Sequence, residues 1–311
     1  MNESGSGGYV AVDAHPEVHS IREVYTAPPS MMAAYRRALF ARKPGLIPGV
    51  PMPRIVAALP RLDPDLDALR TYRRLTGFTD DGMLPITWPQ VLAGSLHAEI
   101  LTHPRFPLGA MGLVHMHQSI TQHAPIPEDA ALGLEAWVAG HEKTRRGIEF
   151  ELRTDVRRGE YVVWQGTTRI LWRRASKSSG KRSKPAPPPP GEPAGVIRSA
   201  AIRVPENMGR RYGRVSGDLN PIHLTAVSAR LFGFRRHIVH GMWSMARCIA
   251  ELDDDVPTDG VTITTDFKRP VFLPSRLVCV GTRDEEGVGF VLTSPNGRTT
   301  HLEGRVTLGA R

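Results

Sequence analysis

Residues Ala175 to Ala194 read ASKSSGKRSKPAPPPPGEPA, and no other feature of the chain restricts its fold as much. The stretch contains an unbroken proline run, Pro187 to Pro190, and no large apolar side chain. It can bury too little surface to offset the entropy of ordering it, so a partly extended tether is expected. An SH3-type proline ligand or a polyphosphate-binding tail is the competing reading. The tether divides the 311 residues in two.

The two sides share an order of elements. After the tether, His240 to Leu252 carries Met242, Met245, Ala246 and Ile249 at helical spacing. Gly260 then opens an alternating strand, Val261 to Phe267, and Arg276 to Gly281, Val288 to Thr293 and Thr299 to Leu308 form a meander. Before the tether, Trp88 to His103 has Trp88, Val91, Leu92, Leu96, Ile100 and Leu101 on a helical stripe. Gly112 opens a strand from Leu113 to Gln118, followed by Leu134 to Val138, Ile148 to Leu152 and Tyr161 to Leu171. The fragment Gly147-Ile148-Glu149-Phe150-Glu151-Leu152 also faces Gly287-Val288-Gly289-Phe290-Val291-Leu292, which points to duplication. Each half is then one long helix on an antiparallel sheet, an α+β arrangement in which the sheet buries its apolar face against the helix. Two further helices precede the first half, Met31 to Arg42 capped by Ser30, and one from Asp63-Pro64 to Gly77. They read as packing elements without chemistry.

Composition removes several function classes. Two cysteines, Cys248 and Cys279, exclude a disulfide framework or a four-cysteine metal knot. No window reaches the roughly 18 apolar residues of a membrane helix, and Met1 to Gly8 does not resemble a secretory signal, so a cytoplasmic protein without a membrane span is expected. The formal charge of +9 invites a polyanion such as nucleic acid. Most of that excess, however, is Arg173, Arg174, Lys177, Lys181, Arg182 and Lys184, at and beside the tether, with no acidic residue among them. Nucleic acid is therefore not expected as a partner. No Gly-rich strand-to-helix turn or P-loop is present.

The chemistry is concentrated in Tyr212-Gly213-Arg214-Val215-Ser216-Gly217-Asp218-Leu219-Asn220-Pro221-Ile222-His223. Gly217 permits a tight turn, and Pro221 fixes its own φ and turns Asn220 away from helix. On such a bent segment Asp218 and His223 can converge on one small molecule as a proton-transfer pair. His240-Gly241-Met242 follows at the start of the central helix, where the Gly241 amide lacks an intrahelical acceptor and can hold an oxyanion. Acid/base groups beside an electrophilic hole suit adding water to, or removing it from, a carbonyl-conjugated double bond.

The segment Tyr212 to Ala229 resembles the signature of the MaoC-like (R)-specific enoyl-thioester hydratases, with its S-G-D-x-N-P-[LIV]-H core, and His240 to Met242 stands where that family places its oxyanion glycine. The resemblance implies a double hot-dog fold, in which a long helix is wrapped by an antiparallel sheet twice over. It also implies reversible syn hydration of trans-2-enoyl thioesters to (R)-3-hydroxyacyl thioesters of coenzyme A or acyl-carrier protein. Asp218 and His223 would then be catalytic, Asn220 would orient them, and the Gly241 amide would bind the thioester oxygen. No metal and no other cofactor is implied, and a homodimer is left open. The corresponding division is a helical extension at 1–80, a degenerate hot-dog half at 81–174, the tether at 175–194 and a catalytic half at 195–311. The first half has Met83-Leu84-Pro85-Ile86-Thr87-Trp88-Pro89 before its helix and no GDxNPxH, so one site per chain is expected, with room for an acyl tail longer than crotonyl.

Other residues carry weaker readings. Arg235, Arg236, Lys268 and Arg269 flank the motif and are candidates to grip the phosphates or acidic surface of an acyl carrier, against a solvated basic rim. His115 and His117 suggest a metal, but no third ligand accompanies them and packed or exposed histidines are the expectation. Cys248 reads as core. A hot-dog thioesterase, which would use a carboxylate on the central helix where only Glu251 stands at the far end, and a non-catalytic acyl-binding subunit are the competing functions.

Overall fold

The computed structural model describes residues 9–12, 20–40, 42–47, 49–110, 112–173 and 194–308, so Ala175 to Pro193 of the expected tether lie outside the described residues. The first part runs β1 (Val10–Ala11), β2 (Ser20–Val24), α1 (Met31–Phe40), β3 (Arg54–Leu62), α2 (Leu66–Thr76), α3 (Trp88–Leu92), α4 (Gly94–Thr102), β4 (Leu113–Gln122), β5 (Leu132–Thr144), β6 (Gly147–Arg158) and β7 (Tyr161–Arg173). The second runs β8 (Val196–Val204), α5 (Met208–Ser216), a 3₁₀ turn at Pro221–His223, α6 (Ala226–Leu231), α7 (Gly241–Ala250), β9 (Val261–Phe267), β10 (Ser275–Asp284), β11 (Gly287–Thr293) and β12 (Thr300–Leu308). This is the double hot-dog α+β fold.

One sheet joins the halves, in the order β2-β3-β5-β6-β7-β4-β9-β12-β11-β10-β8 with β1 on β5. The seam is β4 against β9, antiparallel from His117 opposite Asp266 to Gln122 opposite Val261. The strands that follow the two central helices thus pair with each other. The buried apolar residues form one continuous core across the seam, from Trp88, Leu96 and Trp164 to Trp243, Met245 and Ile249. Trp164 Nε1 donates to Ile86 O at 2.8 Å and Trp243 Nε1 to Leu75 O at 2.8 Å, so neither indole is left unsatisfied on burial.

The repeat is longer than its sequence signal. β3 pairs with β5 as β8 pairs with β10, so each half opens with a strand ahead of its helices. Helices α2 and α5 then occupy equivalent positions, and both end on a left-handed glycine, Gly77 at φ 91° and Gly217 at φ 74°. The central helix of the first half is a run broken at Ala93, which separates α3 from α4; Pro89 sits in the first turn of α3 and Gly94 opens α4. The polar side chains inside this half bond to one another. Gln118 Nε2 donates to Gln90 Oε1 at 3.2 Å, Gln90 Nε2 to Thr168 Oγ1 at 3.2 Å and Thr168 Oγ1 to Gln118 Oε1 at 2.9 Å. His97 Nε2 lies 2.7 Å from Thr154 Oγ1. Among the described residues, no helix is long and apolar enough to cross a membrane.

Candidate active site

The segment Tyr212 to His223 is not one loop. Its first five residues complete α5, and the loop begins where Gly217 takes the left-handed conformation that reverses the chain. From there, short side chains cap backbone amides in succession. Ser216 Oγ accepts from Asp218 N at 3.3 Å, Asp218 Oδ1 from Asn220 N at 3.1 Å, and Asn220 Oδ1 from Ile222 N at 3.3 Å. Pro221 then starts the 3₁₀ turn that delivers His223. Asn220 shapes the turn through its backbone contacts.

His223 and His240 are buried, and the Asp218 side chain is 36% exposed. His223 Nδ1 lies 2.8 Å from Ile238 O. A carbonyl only accepts, so Nδ1 carries the proton and Nε2 presents its lone pair. That Nε2 is 4.0 Å from Asp218 Oδ2. The separation is too long for a direct hydrogen bond and suits two groups that share a water. His240 stacks on His223, with ring centroids 3.7 Å apart and 24° between planes. Its Nε2 donates to Asp218 O at 2.9 Å, and its buried Nδ1 has no hydrogen-bond partner among the described residues. Burial holds the His223 and His240 imidazoles below the ordinary histidine range, so both are neutral near pH 7. Burial opposes ionisation of Asp218, but the facing imidazoles and the donors on its carboxylate outweigh it and keep Asp218 below its usual range.

The structure also brings in a residue that the sequence did not single out. The Tyr35 hydroxyl, on α1, donates to Asp218 Oδ1. Tyr35 lies 183 positions from its partner and outside any motif, so no local pattern marks it.

Gly241 is the first residue of α7, with His240 in extended backbone as its N-cap. Its amide is one of the first-turn donors without an intrahelical acceptor. A Cβ at this position would meet the Phe267 ring at 3.1 to 3.5 Å, so glycine allows β9 to close against the helix start. Phe267 in turn contacts His115, with ring centroids 4.6 Å apart. The β4–β7 register shifts between His115 and His117, and the two histidines part there. His115 Nε2 donates to His117 O at 3.1 Å, while His117 Nδ1 lies 2.7 Å from Asp266 Oδ1.

Asp218, His223 and His240 place one donor atom each within 4.8 Å of one another, the closest approach to a metal cluster among the described residues. His240 Nε2 is engaged as an N–H with Asp218 O. With Nε2 so engaged, His240 keeps its lone pair on Nδ1, and Asp218 Oδ2 and His223 Nε2 are the lone pairs that face each other. The basic residues flank the site by topology, since an Ile238–Phe272 bridge pairs the segment carrying Arg235 and Arg236 with that following Lys268 and Arg269. Lys268 is ion-paired with Asp266 at 3.2 Å and Glu303 at 2.8 Å, and the Arg235 guanidinium lies over Phe272 at 4.3 Å. Arg236 and Arg269 are exposed. Cys248 is fully buried, and Glu251 is ion-paired with Arg198 and Arg247.

A neutral histidine and a carboxylate thus face each other at the start of a hot-dog helix, and comparison with known proteins places the chain among hydratases and dehydratases. Residues 187–303 match the MaoC like domain family. The chain is 33% identical over 235 residues to 3-hydroxyacyl-thioester dehydratase X of Mycobacterium tuberculosis, covering 74% of this chain and 82% of the relative. It is 26% identical over 237 residues to peroxisomal enoyl-CoA hydratase 2 of Arabidopsis thaliana, covering 69% of this chain and 74% of that protein. The crystal structure of HtdX from M. tuberculosis superposes with a TM-score of 0.69 at 29% identity, covering 81% of this chain and 98% of that one. The chain belongs to the MaoC-like dehydratase family.

Proposed function

We propose that the protein catalyses reversible hydration of trans-2-enoyl thioesters to (R)-3-hydroxyacyl thioesters in fatty-acid metabolism. The observation that carries the reading is the 4.0 Å gap between Asp218 Oδ2 and the unprotonated His223 Nε2, beside the Gly241 amide at the start of α7. A water in that gap donates one hydrogen bond to each. As its oxygen attacks C3, Nε2 takes one proton and the π electrons move toward the thioester oxygen, which the Gly241 amide stabilises. The proton on Nε2 then passes to C2 on the same face, giving syn addition of one water. In the reverse direction His223 removes the C2 proton and returns it to the departing hydroxyl.

The second half, 195–311, holds this pair, and the loop after α2 in the first half carries no histidine, so one site per chain follows. Arg235, Arg236, Lys268 and Arg269 form a basic rim for the phosphates of coenzyme A or the acidic face of an acyl-carrier protein. The carboxylate that a thioesterase would need on the central helix is absent from the site, because Glu251 is held by two arginines at the far end of α7.

The test follows loss of enoyl absorbance with crotonyl-CoA and longer enoyl-CoA substrates. Asp218→Asn and His223→Ala are each expected to lower kcat about 10²- to 10⁴-fold. A wild type inert toward every chain length, or variants that match it, would overturn the reading.

A further inference from the structure

We propose that Tyr35, delivered by α1 from the N-terminal extension, is a positioning residue of the active site. Its hydroxyl occupies Oδ1 of Asp218 and leaves Oδ2 as the oxygen that acts with His223. This role rests on the hydration reading above.

The assignment starts from the division of labour on the carboxylate. Oδ1 receives two donors, the Tyr35 hydroxyl and the Asn220 amide at 3.1 Å. Among the described residues Oδ2 has no direct hydrogen bond, and it faces His223 Nε2 at 4.0 Å and His240 Nε2 at 3.6 Å. A carboxylate held only by the Asn220 amide could rotate and exchange its oxygens. A second donor from a different element fixes the plane of the group and therefore the direction of its free lone pairs.

The helix that carries Tyr35 is anchored for this task. Met31 and Tyr35 lie four residues apart on one face of α1, and that face looks onto the motif loop. A Cβ on Gly217 would come within 3.2 Å of Met31 Cγ, so the glycine that turns the loop also lets α1 sit against it. On the other side α1 is held to α4. Arg37 Nη2 bonds Glu99 Oε2 at 2.5 Å and Thr102 Oγ1 at 3.3 Å, and Lys43 Nζ, just beyond the helix, bonds Leu101 O at 3.1 Å and His103 O at 2.8 Å. The first half, which lacks the catalytic motif, thus supports the helix that completes the site of the second.

The contact also has a consequence in pH. The groups that face the Asp218 carboxyl are Tyr35 from α1, Tyr212 from α5, His223 from the 3₁₀ turn and His240 from the N-cap of α7. Burial lowers both imidazoles and raises both phenols, so none of the four changes charge between about pH 7 and 9. Hydrogen bonds to the ionised carboxylate stabilise it, and removing one raises its pKa. Protonation of Asp218 must then move to higher pH, and the part of the acidic limb of the rate profile that it sets, beside the protonation of His223, moves with it.

The experiment uses Tyr35→Phe, which removes the hydroxyl and keeps the ring, beside Arg37→Ala, which loosens α1 and keeps the hydroxyl. For Tyr35→Phe, kcat on crotonyl-CoA should fall roughly 10- to 100-fold, as expected for a lost hydrogen bond to a charged group. KM should stay within about threefold, and the acidic limb should rise by about one pH unit. Arg37→Ala should leave the limb at its wild-type position. The proposal is overturned if Tyr35→Phe keeps wild-type kcat and limb while Asp218→Asn is inactive. It is also overturned if Arg37→Ala reproduces the loss with the limb unmoved in both variants. Carboxyl ¹³C titration of Asp218, assigned against Asp218→Asn, reads the contact whether or not the protein turns over an enoyl-CoA. An Asp218 pKa that is the same in wild type and Tyr35→Phe refutes the contact, whereas an inert wild type refutes the hydration reading instead.

Discussion

Gly209→Ala should disable the site from beneath without touching a catalytic group. Gly209 is the second residue of α5, and the helix passes directly under the turn that carries His223. A Cβ built there lies 2.1 Å from His223 O, 3.1 Å from His223 C and 3.4 Å from Ile238 O. Ordinary contact begins near 3.4 Å, so the His223 carbonyl must retreat by roughly 1 Å, and no side-chain rotation relieves the clash because the obstacle is backbone. The same methyl presses toward Ile238 O, the acceptor that fixes the His223 tautomer at 2.8 Å. Overpacking of this kind costs about 1–3 kcal/mol of stability. A displacement of about 1 Å between reacting groups costs on the order of 10²-fold in rate. The assay pairs a denaturant unfolding curve with kcat and KM on crotonyl-CoA. The expected result is a folded protein, less stable by about 1–3 kcal/mol, whose kcat falls about 100-fold. Gly94→Ala is the control: Gly94 is the first residue of α4, and its Cβ would meet only Ser216 O, at 3.9 Å. That variant should keep its activity and gain up to about 1 kcal/mol from helix propensity. If Gly209→Ala retains kcat within about twofold and unfolds with the wild type, the close approach of α5 to the His223 backbone does not limit the site.

Two further outcomes follow from charge. Burial drops the His97 imidazole to about 4, below the roughly 6.5 of an unfolded chain, so the unfolded state binds the proton first. The share of stability that rests on neutral His97 should be fully present above about pH 6.5 and fall by about 3 kcal/mol as pH drops to about 4, so urea midpoints of His97→Gln should show a shallower decline than the wild type. Arg73 is 4% exposed and bonds Glu128 at 2.6 Å, Met83 O at 2.6 Å and Asp80 at 2.8 Å. Arg73→Met should cost about 2 kcal/mol, less than a fully buried pair because Asp80 and Glu128 keep part of their hydration, and the drop in thermal midpoint measures it.

The parts legible in the sequence were those with short-range signals. The meander β9 to β12 is legible nearly to its ends because its alternation and its turns at Asp284 to Gly287 and Ser294 to Gly297 are local. Asp218, His223 and Gly241, the proposed site residues, stand out in sequence because they sit within one dense motif and a helix start. β3 and β8 escaped for opposite reasons. Ile55 to Leu59 is buried without alternation, whereas β8 is exposed over its first four residues and alternates only from Ala200 to Val204, too short a run to mark a nine-residue strand. Helix α5 escaped because Gly209 and Gly213 stand inside it, where glycine usually argues against helix. Each makes room for backbone, since Cβ atoms there would meet His223 O at 2.1 Å and Asp218 O at 2.7 Å. The local penalty is the condition for folding the motif tightly onto its helix.

On the proposed function, the pairing of α2 with α5 divides chemistry and support between the halves. Both helices end on a left-handed glycine and hand the chain to a loop with an aspartate immediately or shortly after. In the second half that aspartate is Asp218, turned toward two neutral imidazoles. In the first half the loop carries Asp80 and Asp81, both ion-paired with the buried Arg73, which also holds Glu128. A carboxylate neutralised by an adjacent guanidinium is a poor partner for proton transfer, so the first loop is a structural joint. Gly77 itself is overlaid by Arg247 of α7, whose guanidinium donates to Thr76 O at 3.2 Å. That contact ties the end of α2 to the helix whose first amide is the proposed oxyanion donor. Through this tie and through α1, the half without the motif contacts both ends of the proposed site.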